Sequence, residues 1–343
     1  MAPERDAAIR QGSQGSQGGP RREPKPRDPI LTSESLGRVA ARAQGTAYGS
    51  APKDGSTASS STALVPVKPT RRRSRPELTD AEIRRGDVDE WGRSERARRL
   101  ARFLYEPLYS SYFRVEWEGL EKIPIDGGAL LVANHAGAIP SDAPAIMHGI
   151  ETQLRRPVYG LADNFFRTLP VVGTMWSRLG GLPAHPDNAY RLLREQNQLV
   201  LVFPEGSKGP AKRMDERYRL ARFGRGGFVE IAMRAGVPII PIAVVGAEES
   251  MPIVAKLPSL AGVFGAPYVP ITANMLLFGP AGLFTYFPSK FKLRVLDPIH
   301  FDVEPDLARY SKSRIMDESE KIRDEIQDAL YEMLSKRRSV WFG

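Results

Sequence analysis

Cysteine is missing from all 343 residues. Its absence excludes disulfides, thiolate metal sites and a thiol nucleophile, and it is compatible with a reducing compartment. Histidine is scarce, with four in the chain. His148, His185 and His300 are scattered and lack ligand spacing, so they read as structural or exposed, and no metal site is expected. The Gly-x4-Gly-Lys-Ser/Thr phosphate loop is absent. So is Gly-x-Ser-x-Gly, which leaves a serine hydrolase of the α/β-hydrolase type unsupported. Met1 to Pro20 is polar and carries no apolar stretch of the kind a secretory leader needs, so a cytoplasmic location is expected.

Positive charge is plentiful but unevenly placed. The net charge is +9, and residues 1–76 hold fourteen Lys and Arg against six Asp and Glu. The folded remainder is therefore nearly neutral. Residues 1–76 are rich in Gly, Ser, Pro, Gln and Arg without helical or strand periodicity, so they read as a disordered basic tail. The tail ends in Arg71-Arg72-Arg73-Ser74-Arg75. Such a run suits anionic lipid headgroups, at roughly 1 kcal/mol per basic residue. A solubilising tail or a nonspecific nucleic-acid arm are the other readings, and no nucleic-acid partner is expected.

The region 77–112 reads as amphipathic helix. Thr79-Asp80 and Ser94 are candidate N-caps, and Leu100, Phe103 and Leu104 fall on one side. Pro107 is expected to end or kink this helix. Arg96, Arg98, Arg99 and Arg102 make it basic, which fits either a membrane interface or packing on a domain edge. Beyond it, short β runs alternate with helical stretches. The strands are expected over 113–118, 129–133, 158–161, 199–203, 237–245 and 290–295. The helices are expected over 143–149, 188–197, 223–235 and 314–334. This alternation predicts one α/β domain over 113–305, a central sheet flanked by helices, with a C-terminal helix within 306–343.

Between Leu257 and Ser289 there is no charged residue, but there are five prolines and four glycines. The length would cross a bilayer, yet the breaks would leave backbone groups unsatisfied. A membrane-dipping or substrate-lining loop fits better than a broken span, and a loop buried in the core is the third reading.

Two polar strings follow buried strands, where an α/β sheet places its chemistry. Asn134-His135, with Asp142 seven residues on, follows Ala129 to Ala133. A histidine acting as general base needs an acceptor on its second nitrogen, and Asp142 could supply it. Ser141-Asp142 also looks like a helix N-cap, and a lone histidine is often structural. The second string, Phe203-Pro204-Glu205-Gly206-Ser207-Lys208-Gly209, offers amides, a hydroxyl and a cation in a tight turn suited to a phosphate or an oxyanion.

Together the two strings resemble motifs of the glycerolipid acyltransferase superfamily, the lysophospholipid acyltransferases. Asn134-His135 with Asp142 looks like its catalytic motif, and Phe203 to Lys208 like its Phe-Pro-Glu-Gly-Thr-Arg block. Val237-Pro238-Ile239-Ile240-Pro241-Ile242 looks like its last block. The likeness covers about residues 113–300 and implies an acyltransferase domain there. It implies acyl transfer from acyl-CoA or acyl-carrier protein, used as a substrate, to a glycerolipid hydroxyl at the membrane surface. No cofactor is implied; the partners are membrane lipids and the acyl donor.

By that likeness His135 is the base and Asp142 its orienter, while Asn134, Glu205, Gly206, Ser207 and Lys208 help bind substrate. Six residues separate His135 from Asp142, where the usual motif has four, as in the branch with monoacylglycerol-type enzymes. No arginine stands in Leu182-Pro183-Ala184-His185, and Lys208 replaces the arginine of the later block. Both departures lean towards a neutral acceptor. An inactive membrane-binding scaffold with the same fold is the alternative from another class.

Overall fold

The computed structural model describes residues 86–162, 170–257, 269–307 and 309–343. The basic tail over 1–76, the cap at Thr79-Asp80 and residues 258–268 of the uncharged run lie outside them. Seven strands form the main sheet: β1 (Glu116–Glu118), β2 (Ala129–Ala133), β3 (Val158–Ala162), β4 (Gly181–Pro183), β5 (Leu199–Val202), β6 (Ile239–Val245) and, after a separate hairpin of β7 (Ile253–Leu257) and β8 (Val269–Thr272), β9 (Lys292–Val295). Their order across the sheet is β1-β9-β6-β2-β5-β3-β4. Every pair is parallel except β6 with β9.

Central parallel strands are covered on both faces, which is why β2 and β6 read as unbroken apolar runs and are buried throughout. Alternate residues serve opposite layers. Leu131, Leu201, Ile240 and Ile242 meet Ile146 and Ile150 of a helix over Asp142–Gln153. Leu130, Val132, Val200 and Ala243 face the other layer, with Val229 and Met233 of Gly227–Ala235 and Ile322, Ile326 and Leu330 of Lys312–Ser335. The fold is a three-layer α/β sandwich, as the alternation of runs predicts.

The N-terminal helix, α1 (Glu95–Pro107), begins and ends where the sequence expects. Ser94 caps it, accepting from the Ala97 N–H at 3.1 Å. The α-helix ends at Pro107, as expected of a residue without an N–H, and the chain widens into a π-turn over Leu108–Tyr112, closed by Phe113 N–H to Leu108 O at 2.7 Å. Its apolar side also points outward, with Leu100, Phe103 and Leu104 exposed by 59%, 75% and 61%. The inward side is ionic. Buried Glu151, on the helix that follows β2, accepts from Arg98 Nε at 2.9 Å and from Arg102 at 3.0 Å. A buried carboxylate without cations would be costly, so these arginines turn that face inward.

The stretch 113–118 forms a strand only over β1; ahead of it Phe113 stacks on Phe291, ring centroids 4.3 Å apart, and its carbonyl accepts the Phe291 N–H at 3.0 Å. The uncharged run forms β8, a helix over Ala273–Phe278 and a 3-10 turn over Gly279–Phe284. No helix among the described residues is long and apolar enough to cross a membrane. The β7/β8 hairpin, β4 and the helix Pro170–Arg178 have no counterpart in the sequence reading.

Candidate active site

Strand β2 lies between β5 and β6, parallel to both, with Val132 in register with Val202 and with Pro241. The chains leaving β2 and β5 therefore emerge side by side at the carboxyl edge of the sheet. That places His135 next to Glu205, 70 residues on, whose Oε1 accepts the His135 backbone N–H at 3.0 Å. Gly209 closes the approach: a Cβ there would lie 2.6 Å from His135 Cβ and 3.0 Å from its carbonyl oxygen.

The His135 ring stacks on Phe203, with centroids 4.0 Å apart and planes at 19°. Its Nδ1 lies 2.9 Å from Asp142 Oδ2. Gly137, at φ +81°, bends the intervening loop in a way that suits glycine. Asp142 is fully buried; Oδ2 also accepts from Ala136 N–H at 2.8 Å and Oδ1 from Ala143 N–H at 2.6 Å. A carboxylate taking two backbone N–H groups receives the third hydrogen from Nδ1, which leaves the lone pair on Nε2. Asp142 is also the first residue of its helix, where negative charge is favoured. Ser141 makes no capping bond there; its hydroxyl pairs with Ser250 at 2.9 Å.

Other expected binding residues divide into two groups. Asn134 is fully buried and spends its amide on Val244, donating to the carbonyl at 3.0 Å and accepting from the N–H at 2.7 Å. Glu205 is buried too, and Oε2 accepts from Ala221 N–H at 2.8 Å. Both hold loops in place, and their polar atoms are not turned to an incoming acceptor. Gly206, Ser207 and Lys208 form an exposed 3-10 turn beside His135. Of the remaining histidines, His148 is buried 2.7 Å from Glu106, His185 caps the helix Pro186–Tyr190, and His300 is exposed.

Sequence reading missed Lys212. Its side chain is 7% exposed, and the ammonium sits 3.3 Å from Glu205 and 2.8 Å from Glu248. Burial opposes the Lys212 charge, but Glu248 and Glu205 outweigh it and hold the ammonium above its ordinary range. Burial pushes Glu248 up to about 7, against the pull of Lys212 and of the Tyr218 N–H. No local pattern announces this cluster, because Glu205 and Lys212 share the connection after β5 while Glu248 comes from the helix Ala247–Ser250 after β6. Also missed were Tyr105 and Tyr286: burial raises both phenols, Tyr286 to about 12, and the nearby Asp142 charge raises both further.

A mainly apolar pocket of about 260 Å³ opens beside the His135–Asp142 loop, with Gly137, Lys212, Met214, Met251, Phe287 and Trp341 among its lining residues. The site thus joins a histidine, a buried carboxylate bonded to its ring, an exposed polar turn and an apolar recess.

Residues 114–245 match the family model described as Acyltransferase. The chain is 39% identical over 269 residues to an uncharacterized protein of Mycobacterium tuberculosis, covering 75% of this chain and 72% of that relative. It is 28% identical over 251 residues to a DGAT1/2-independent enzyme synthesizing storage lipids from Homo sapiens, covering 69% of this chain and 71% of the relative. Among solved structures it is similar to the 1-acyl-sn-glycerophosphate acyltransferase PlsC of Thermotoga maritima, at 20% identity and a TM-score of 0.46, over 71% of this chain and 80% of that one.

Proposed function

Since this chain belongs to the acyltransferase family, we propose that it moves a fatty acyl group from acyl-CoA or acyl-carrier protein to a hydroxyl of a glycerolipid at a membrane surface. The observation that carries this reading is the His135–Asp142 pair at 2.9 Å, which supports a base at Nε2. Nε2 takes the proton of the acceptor hydroxyl as its oxygen attacks the thioester carbonyl. The tetrahedral adduct collapses, the C–S bond breaks, and the imidazolium returns the proton to the leaving thiolate. Asp142 stabilises the imidazolium in between. The exposed side chains of Ser207 and Lys208 in the 206–208 turn stand beside the pair, suited to the developing oxyanion or the acceptor headgroup, while the Gly206 and Lys208 amides are spent on Phe203 O and Glu205 O. The recess at Met214, Met251 and Phe287 is suited to an acyl chain.

The acceptor is a neutral glycerolipid in this reading. Leu182-Pro183-Ala184-His185 holds no arginine, and Lys208 is a point charge without the bidentate fork that suits phosphate. The human relative's description as an enzyme synthesizing storage lipids agrees. Purified protein mixed with acyl-CoA or acyl-carrier protein and an acceptor panel should release the free thiol carrier, faster with monoacylglycerol than with lysophosphatidate. Lys208→Ala should leave the acceptor KM little changed. Silence with every acceptor and both donors would overturn acyl transfer. A strong preference for lysophosphatidate that disappears with Lys208 would overturn the neutral acceptor alone.

Membrane contact rests on the outward side of α1 and on Leu276, Leu277, Phe278 and Phe284, all exposed. Tyr112 joins the two regions, donating to Tyr286 O at 2.6 Å. Arg96 and Arg99 flank the α1 side, as a basic interfacial helix requires. Phe103→Asp with Leu104→Asp should weaken co-sedimentation with anionic vesicles while the circular dichroism and Tm stay put. Unaltered sedimentation at low salt would remove α1 from the membrane contact.

A further inference from the structure

The acyl-transfer step leaves Lys212 without a role, although it is a buried cation one carboxylate away from the base. Glu205 Oε1 accepts from both the His135 backbone N–H and the Lys212 ammonium, at 3.0 and 3.3 Å. Glu205 Oε2 holds Ala221 N–H at 2.8 Å. One side chain therefore ties the base to the turn after β5 and to the segment leading into Gly227–Ala235. On its far side the ammonium meets Glu248, whose Oε2 accepts from Tyr218 N–H at 2.8 Å. Two carboxylates already claim Lys212, so it is not available as a phosphate ligand.

We infer that Lys212 is a positioning residue: by holding Glu205 as a carboxylate acceptor of the His135 backbone N–H, it keeps the His135 ring aligned with Asp142 and the acceptor hydroxyl. Buried carboxylates keep their charge only when a cation or hydrogen bonds compensate. A protonated Glu205 would be a weaker acceptor, and the His135 main chain would lose its tie to the β5 turn. Glu248 competes for the same ammonium, and burial has pushed it up to about 7. The groups around Glu248 are Lys212, Glu205 and the Tyr218 N–H, with the Tyr218 hydroxyl, Glu249 and Arg337 beyond. Arg213 and Arg217 line the adjoining pocket.

The kinetic readout rests on the acyl-transfer reading, whereas a spectroscopic readout does not. In Lys212→Met, Glu205 and Glu248 face each other without a cation, and the pair takes up a proton as pH falls. The acid limb of the kcat profile should move up by about one pH unit, a tenfold loss on that limb. The substrate KM values should change little, because Met fills the same space. Lys212→Arg should restore the profile. Glu248→Gln leaves the ammonium wholly to Glu205, so its acid limb should stay or move down.

In isotope-labelled full-length protein, the His135 backbone amide resonance should shift with pH in Lys212→Met and hold steady in Lys212→Arg. A folded Lys212→Met protein with the parent profile and an unmoved amide would overturn the assignment. So would parallel losses in Lys212→Met and Glu248→Gln with no opposed pH shift, since those mark a merely structural cluster. A parent protein that transfers no acyl group would remove the acyl-transfer reading alone, and the amide resonance would still decide the role of Lys212.

Discussion

His135→Ala is expected to lower kcat by about 10²–10⁴-fold, the range typical for removing a positioned base. The fold should survive, because the residue's main-chain tie to Glu205 is made by the backbone N–H and is kept by alanine. The ring stacks on Phe203 and is bonded at Nδ1, so its loss removes one aromatic contact and one hydrogen bond. The Tm should fall modestly while turnover collapses, and the acceptor KM should change less than kcat. Thiol release on a folded His135→Ala protein at the parent rate would sink the mechanism.

The second large effect is expected from Asp142→Asn, which keeps size and removes the charge. Asp142 accepts three N–H groups: His135 Nδ1 and Ala136 N on Oδ2, and Ala143 N on Oδ1. An amide accepts on one side only. If its oxygen faces His135 and Ala136, its NH₂ meets the Ala143 N–H donor. If it turns over, the NH₂ meets the Ala136 N–H and forces the imidazole proton onto Nε2, where the base is needed. In either orientation a buried donor is left unpaired, at about 1–3 kcal/mol. The turned form also presents the wrong tautomer, which in other histidine–carboxylate sites costs about 10⁴-fold. A kcat drop of about 10²–10⁴-fold is expected. Turnover at the parent rate in a folded Asp142→Asn protein would separate the carboxylate from the base.

These two residues were legible because their signal is local. A strand buried on both faces must be apolar along its length, so Ala129 to Ala133 stands out, and the first polar residues after it mark the sheet edge. A glycine-bearing loop of six residues then brings a carboxylate back to the histidine. Asn134 and Glu205 carry the same outward signal and do something else. A polar side chain after a strand looks alike in sequence whether it faces an incoming hydroxyl or a neighbouring backbone. Here Val244, His135 and Ala221 take up their hydrogen bonds. In α1 the apolar stripe left a membrane interface and a domain edge equally open, and it faces outward because Glu151, 53 residues beyond Arg98, draws the arginines inward.

The sequence alone determined the α/β alternation and the central strands, and offered Asp142 as a partner for His135, since each follows from burial periodicity or a short loop. Tertiary structure alone decided that Lys212, Glu205 and Glu248 share one buried site, that Tyr105 and Tyr286 stand near Asp142, and that the apolar side of α1 is left outside. The reason is physical: periodicity records how much of a segment is buried, while charge pairing depends on which distant segment the fold brings within about 4 Å.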